Sequence, residues 1–137
     1  MIKKCLLFSL IALACAGQAH EISERDSFAL QMLHRSDEVY VVRYIDVVKS
    51  EYLGADKLSI TAEIEQIIKG TQGIGYTIKF ERLYDFDYGD VTELIDKRFL
   101  VFLEEVEGKS EVNRQDPAAV QAFSQNAYDE LMLHQSH

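Results

Sequence analysis

The chain has 137 residues, 47% hydrophobic and 27% charged, with a formal net charge of −9 at pH 7. Residues 20–137 suffice for one packed core and are too few for two domains. The acidity opposes binding to nucleic-acid phosphates and anionic lipid surfaces, and it suits solubility, cations or a basic partner.

Met1–Lys4 carries Lys3 and Lys4, Cys5–Ala16 is apolar, and small residues follow. This is the layout of a secretory signal peptide, cleaved after Ala19 or after Ala16; a short N-terminal anchor is the alternative. Both cysteines, Cys5 and Cys15, lie in this segment. A mature chain starting at His20 would enter an oxidising compartment with no disulfide to form, so its stability must come from a core. Ala12-Leu13-Ala14-Cys15 also resembles a bacterial lipoprotein processing site, which would place a lipid anchor on Cys15. No later apolar run has that length, so the mature chain is expected to be periplasmic or secreted without a transmembrane segment.

Ser23 caps a helix reaching to about Ser36, with Glu24 and Asp26 in its first turn and Phe28, Ala29, Met32 and Leu33 on one face. Met32 reads as core filling. Glu38–Lys49 is a long β-branched and aromatic strand, apolar in both phases, which calls for a bend or bulge. Gly54-Ala55-Asp56 turns the chain. In Lys57–Lys69, Leu58, Ile60, Ala62 and Ile64 face one way and Ser59, Thr61, Glu63 and Glu65 the other, until the phase slips at Ile67-Ile68 and Gly70 ends the strand. A helix over Ala62–Lys69 is the rival reading.

Beyond Gly73 and Gly75, Tyr76, Ile78 and Phe80 alternate with Thr77, Lys79 and Glu81 in a third strand. Leu83–Asp96 is a long, acid-rich connection. Phe99, Leu100, Val101, Phe102 and Leu103 then form an unbroken apolar run, the mark of a strand covered on both faces. This strand, Arg98–Val106, is the one the others are expected to wrap around. Glu107-Gly108-Lys109 turns the chain into a short fifth strand, Ser110–Arg114. Asp116-Pro117 opens a last helix, whose stripe of Val120, Phe123, Ala127 and Leu131 runs to about His134 and packs across the sheet.

Helix, about five antiparallel strands, helix: this order predicts a mainly β (α+β) fold, a five-stranded OB-like barrel flanked by an N-terminal and a C-terminal helix. A sandwich-like or open α+β sheet is the alternative. The segments SDEVYVVRYIDV, EIEQIIKG and KRFLVFLEEVEG, within Ser36–Gly108, resemble secreted bacterial domains related to netrin-like modules and tissue inhibitors of metalloproteases. The resemblance implies a barrel. In those inhibitors an N-terminal cysteine chelates the target's zinc and disulfides hold the edge, whereas this mature chain has no cysteine.

The most specific local feature is Tyr84-Asp85-Phe86-Asp87-Tyr88-Gly89-Asp90, followed by Glu93. Asp85, Asp87 and Asp90 could converge on calcium, with Gly89 supplying a bend, although the spacing is not that of an EF-hand loop. Tyr84, Phe86 and Tyr88 could contact a protein or carbohydrate partner, since aromatic faces give large contact area at low entropic cost. A solvated acidic loop whose aromatics partly cover the barrel is the plain alternative. His20 as a terminal residue could chelate copper only with a second histidine such as His34 nearby, and His134 and His137 read as solvent-exposed. Ser27, Ser36, Ser50 and Ser59 sit in no nucleophile-elbow context, no phosphate-cradling glycine loop is present, and no carboxylate pair is singled out. The sequence therefore leads to a non-enzymatic exported binding module, with protease inhibition as one version. A calcium-binding structural domain using the Asp85–Asp90 loop and a small carboxylate-dependent hydrolase are the alternatives.

Overall fold

The computed structural model describes residues 24–84 and 88–135, with the backbone alone for residues 24–27. The expected leader with Cys15, the terminal His20, the cap Ser23, the loop residues Asp85, Phe86 and Asp87, and His137 lie outside the described residues. Helix α1 (Glu24–Arg35) is followed by β1 (Glu38–Tyr52), β2 (Ala55–Lys69), β3 (Thr77–Tyr84), a 3-10 turn at Thr92–Leu94, β4 (Arg98–Val106) and β5 (Lys109–Val112). A second 3-10 turn at Pro117–Ala119, the short β6 (Val120–Ala122) and helix α2 (Gln125–Gln135) complete the chain.

The strands form one antiparallel sheet in the order β3-β2-β1-β4-β5, with β6 also on β4. β1 holds the middle of the path, and β4 is an interior strand with partners on both edges. One edge pairs with β1 from Arg98 to Leu103; the other is shared by β6, at Phe99–Val101, and β5, at Leu103–Val106. Its side chains alternate between two cores. Leu100 and Phe102 join Val39, Val41, Ala29, Met32, Leu33, Ala127 and Leu131 beneath the helices. Val101 and Leu103 join Tyr40, Val42, Tyr44, Leu58, Ile60 and Phe80 on the opposite face. Burial on both faces explains why the run lacks polar alternation.

The bulges lie where the phases change. On β2, Glu65 is an extra residue between partners of Val41 and Val42, and Ile68 another between partners of Val39 and Tyr40, so that Ile64 and Ile67 lie on the second core and Ile68 on the helix-covered one. On β1, Ile45 is the extra residue, so Val47 joins the core that holds Tyr44, while Ile45 is exposed. The strand prevails over the rival helix at Ala62–Lys69 because that segment pairs with β1 along its length.

Three expectations are corrected. The sheet is not closed into a five-stranded barrel: β3 and β5 end the strand path, and β5 is four residues long. Near their ends a backbone bond runs from the Leu83 N–H to the Arg114 carbonyl, 2.9 Å. The last helix does not begin at Asp116. Asp116 caps only one 3-10 turn through the Ala118 N–H, and Val120–Ala122 instead takes the vacant edge of β4. α2 starts behind Ser124, whose hydroxyl accepts from the Ala127 N–H at 3.0 Å. Finally, Phe28 and Tyr76 are exposed rather than facing the core. No helix among the described residues is long and apolar enough to cross a membrane.

Candidate binding groove at the open edge of the sheet

Of the loop residues singled out by sequence, Tyr84 ends β3 and Tyr88 begins the next described stretch, both half-buried, their rings 4.8 Å apart and both against the second core. The Tyr88 N–H donates to Asp56 Oδ2 at 2.8 Å, which ties the loop to the start of β2. Asp90 Oδ1 accepts from the Thr92 hydroxyl and N–H at 2.6 and 3.0 Å, and these bonds hold its carboxyl below the usual range. Phe86, Asp85 and Asp87 lie outside the described residues, so the trio of aromatics and the trio of acids are each seen in part. Among the described residues no three metal-ligating side chains cluster. His34 and His134 are exposed.

In the core against which Tyr84 and Tyr88 pack, Tyr44 is buried and stacks on Phe99, with centroids 4.1 Å apart. Burial pushes its phenol well above the ordinary value; Tyr84 and Tyr88 add to the rise and Arg82 opposes it. Burial likewise raises Tyr88. Both hydroxyls stay protonated at neutral pH, as structural groups do.

Arg82 is what draws the two ends of the sheet together. It continues the inward phase of Ile78 and Phe80 and is 5% exposed. Its guanidinium donates to the carbonyls of Asn113 at 2.8 Å and Asp116 at 2.9 Å. The Leu83 N–H to Arg114 bond lies beside it. Sheet order makes β3 and β5 run in the same direction, so these contacts join their C-terminal ends.

Away from that junction, the edge of β3 flanks a groove of about 920 Å³. Its floor includes Ile60, Ile78 and Phe80, where the second core reaches the surface. Asp46, Thr61 and Lys79 form one cross-strand row on one wall, and Val48, Ser59 and Glu81 form the next. Glu104, Val106, Ser110, Glu111, Val112 and Arg114 form the opposite wall.

The backbone of β3 points into this space. The Tyr76 carbonyl accepts from Ile64 N–H, on the β2 side, while Leu83 N–H points the other way to Arg114. Strand alternation then turns the N–H and C=O groups of Thr77, Lys79 and Glu81 away from β2, toward an edge with no ladder partner among the described residues. Such an edge is a template for a further strand. Sequence reasoning saw the alternation of β3 but not that β3 is an edge, because edge position depends on which strands pair. One signal was present: an arginine, Arg82, at a core-facing position marks a place where a strand must satisfy groups other than its own.

No family model matches the chain, and no curated protein matches it either.

Proposed function

We propose that the chain is a non-enzymatic, exported protein-binding module that takes an extended segment of its partner as an added strand on β3. The observation that carries this reading is the outward-directed backbone of Thr77, Lys79 and Glu81 beside a groove with an apolar floor. Main-chain bonds from such an edge give affinity, and pockets for alternate side chains give selectivity. The sheet then reads as an incompletely closed OB-like barrel, joined at Arg82 and gaping elsewhere, in keeping with the resemblance of Ser36–Gly108 to netrin-like modules. Export rests on the leader-like Met1–Ala19. N-terminal sequencing of the protein from its native host is expected to begin at His20; a chain retaining Met1 contradicts removal of the leader.

Proline separates strand addition from side-chain docking. Lys79→Pro removes an outward N–H while leaving the β2 ladder intact, which edge strands tolerate. Linear peptides selected from a random library on the wild-type protein should lose at least about tenfold in affinity for Lys79→Pro, about 1.4 kcal/mol. Selected peptides that bind both proteins equally would contradict strand addition.

A further inference from the structure

The charges around the groove specify the segment it takes. Four carboxylates line it, Asp46, Glu81, Glu104 and Glu111, against two cations, Lys79 and Arg114. Glu104 and Glu111 are direct cross-strand partners on β4 and β5, a like-charge pairing that weakens a sheet. Arg35 offsets Glu104 at 3.1 Å and Lys57 offsets Glu81 at 3.0 Å. Among the described residues no ion pair relieves Glu111 or Asp46. The carboxylates are also strung along the walls rather than gathered, and no three of them cluster as metal ligands among the described residues. Spaced cations match that distribution better than one metal ion.

Resting on the strand-addition reading, we infer that the occupant is an extended segment bearing lysine or arginine at alternate positions. Because β3 and β5 run in the same direction, one segment running against both forms antiparallel ladders on both edges. It leaves past the N-terminal end of β3, and its own N-terminal end stops at the junction of Leu83 with Arg114. Near that end its cations lie between Glu81 and the Glu104–Glu111 pair. The available edges, Thr77–Arg82 and Lys109–Val112, accommodate about four to six residues of extended chain.

The test uses three short fluorescein-labelled peptides and anisotropy at about 0.15 M salt, where exposed charges more than about 8 Å apart are largely screened and those in contact are not. One alternates lysine and valine, one alternates glutamate and valine, and one alternates lysine and proline with the charge of the first. The lysine–valine peptide is expected to bind at least about tenfold more tightly than either of the others. Glu111→Gln should weaken it severalfold. Lys79→Pro should weaken it too, although that change makes the groove more acidic. Equal binding of lysine–proline would overturn the inference by reducing it to plain charge attraction. Equal or tighter binding of glutamate–valine would overturn the preference for cations and leave the groove reading standing. Failure of all three peptides, while library-selected peptides still bind, overturns the inference alone; failure of library and defined peptides alike overturns the groove reading with it.

Discussion

Tyr40 and its neighbours show how single residues set the shape of the sheet. Its buried hydroxyl donates to Glu38 Oε1 at 2.5 Å and accepts from Gln72 N–H at 3.0 Å. Gly70 passes so close that a β-carbon there would lie 2.4 Å from that hydroxyl oxygen, and its φ of +135° is one that side chains rarely adopt. Gly70→Ala should therefore cost at least about 2 kcal/mol in chemical denaturation. Burial would raise the Glu38 carboxyl, but bonds from Ser110, Tyr40 and the Thr71 backbone outweigh it and hold the pKa below the ordinary 4.5. A depressed carboxyl stabilises the fold above its unfolded pKa, and that contribution is lost as pH falls through the folded value. Tyr40→Phe removes one of those donors, so acid unfolding should begin at a higher pH. At the alkaline end burial, followed by Glu38, pushes the Tyr40 phenol up to about 12. Its contribution is intact below the ordinary 10.0 and drains away as pH rises to about 12. A denaturation series from pH 9 to 12 should show a shallower decline in Tyr40→Phe than in wild type, since the raised phenols of Tyr44 and Tyr88 remain in both. None of this was legible in sequence beyond Gly70 as a strand terminator, because the closeness of Gly70 to Tyr40 depends on the β1–β2 register.

At the scale of elements, the hairpin tips and the helix start are the informative places. Leu53-Gly54 and Glu107-Gly108 are two-residue turns with positive φ at both positions. Leu53 is also 89% exposed, so nothing is gained by its burial. Leu53→Asn, which accepts that backbone conformation more readily, should stabilise by about 0.5–1 kcal/mol in thermal denaturation. Ser124→Ala should cost about 1 kcal/mol by removing the cap of α2. Glu111→Gln should raise stability by a few tenths of a kcal/mol to about 1, since it ends the repulsion with Glu104. Its expected loss of peptide affinity would then accompany a gain in stability. The strands themselves were well marked by alternation, and the phase slip at Ile67-Ile68 announced the bulge. The C-terminal helix was placed too early because Asp116-Pro117 is a sound start signal for one turn, and only tertiary pairing reveals that β4 has an edge for Val120–Ala122. Helical spacing of Val120 and Phe123 was coincidental.

For the whole molecule, the decisive feature is how far the sheet fails to close. Composition and element order pointed to a small β domain, and the six-stranded antiparallel sheet with helices packed on one face accords with that. Closure was not legible, since it depends on the length of β5 and on what Arg82 reaches. Arg82→Met should release the Asn113 and Asp116 carbonyls, and the Leu83 amide should then exchange at least about tenfold faster than in wild type. The most direct test of the central claim is residue-resolved amide exchange of the protein with and without a selected peptide. Strand addition predicts that the peptide slows exchange at Thr77, Lys79 and Glu81, the amides directed into the groove, and leaves their β2-paired neighbours Ile78 and Phe80 little changed. Saturating peptide with no protection at Thr77, Lys79 and Glu81 would contradict it.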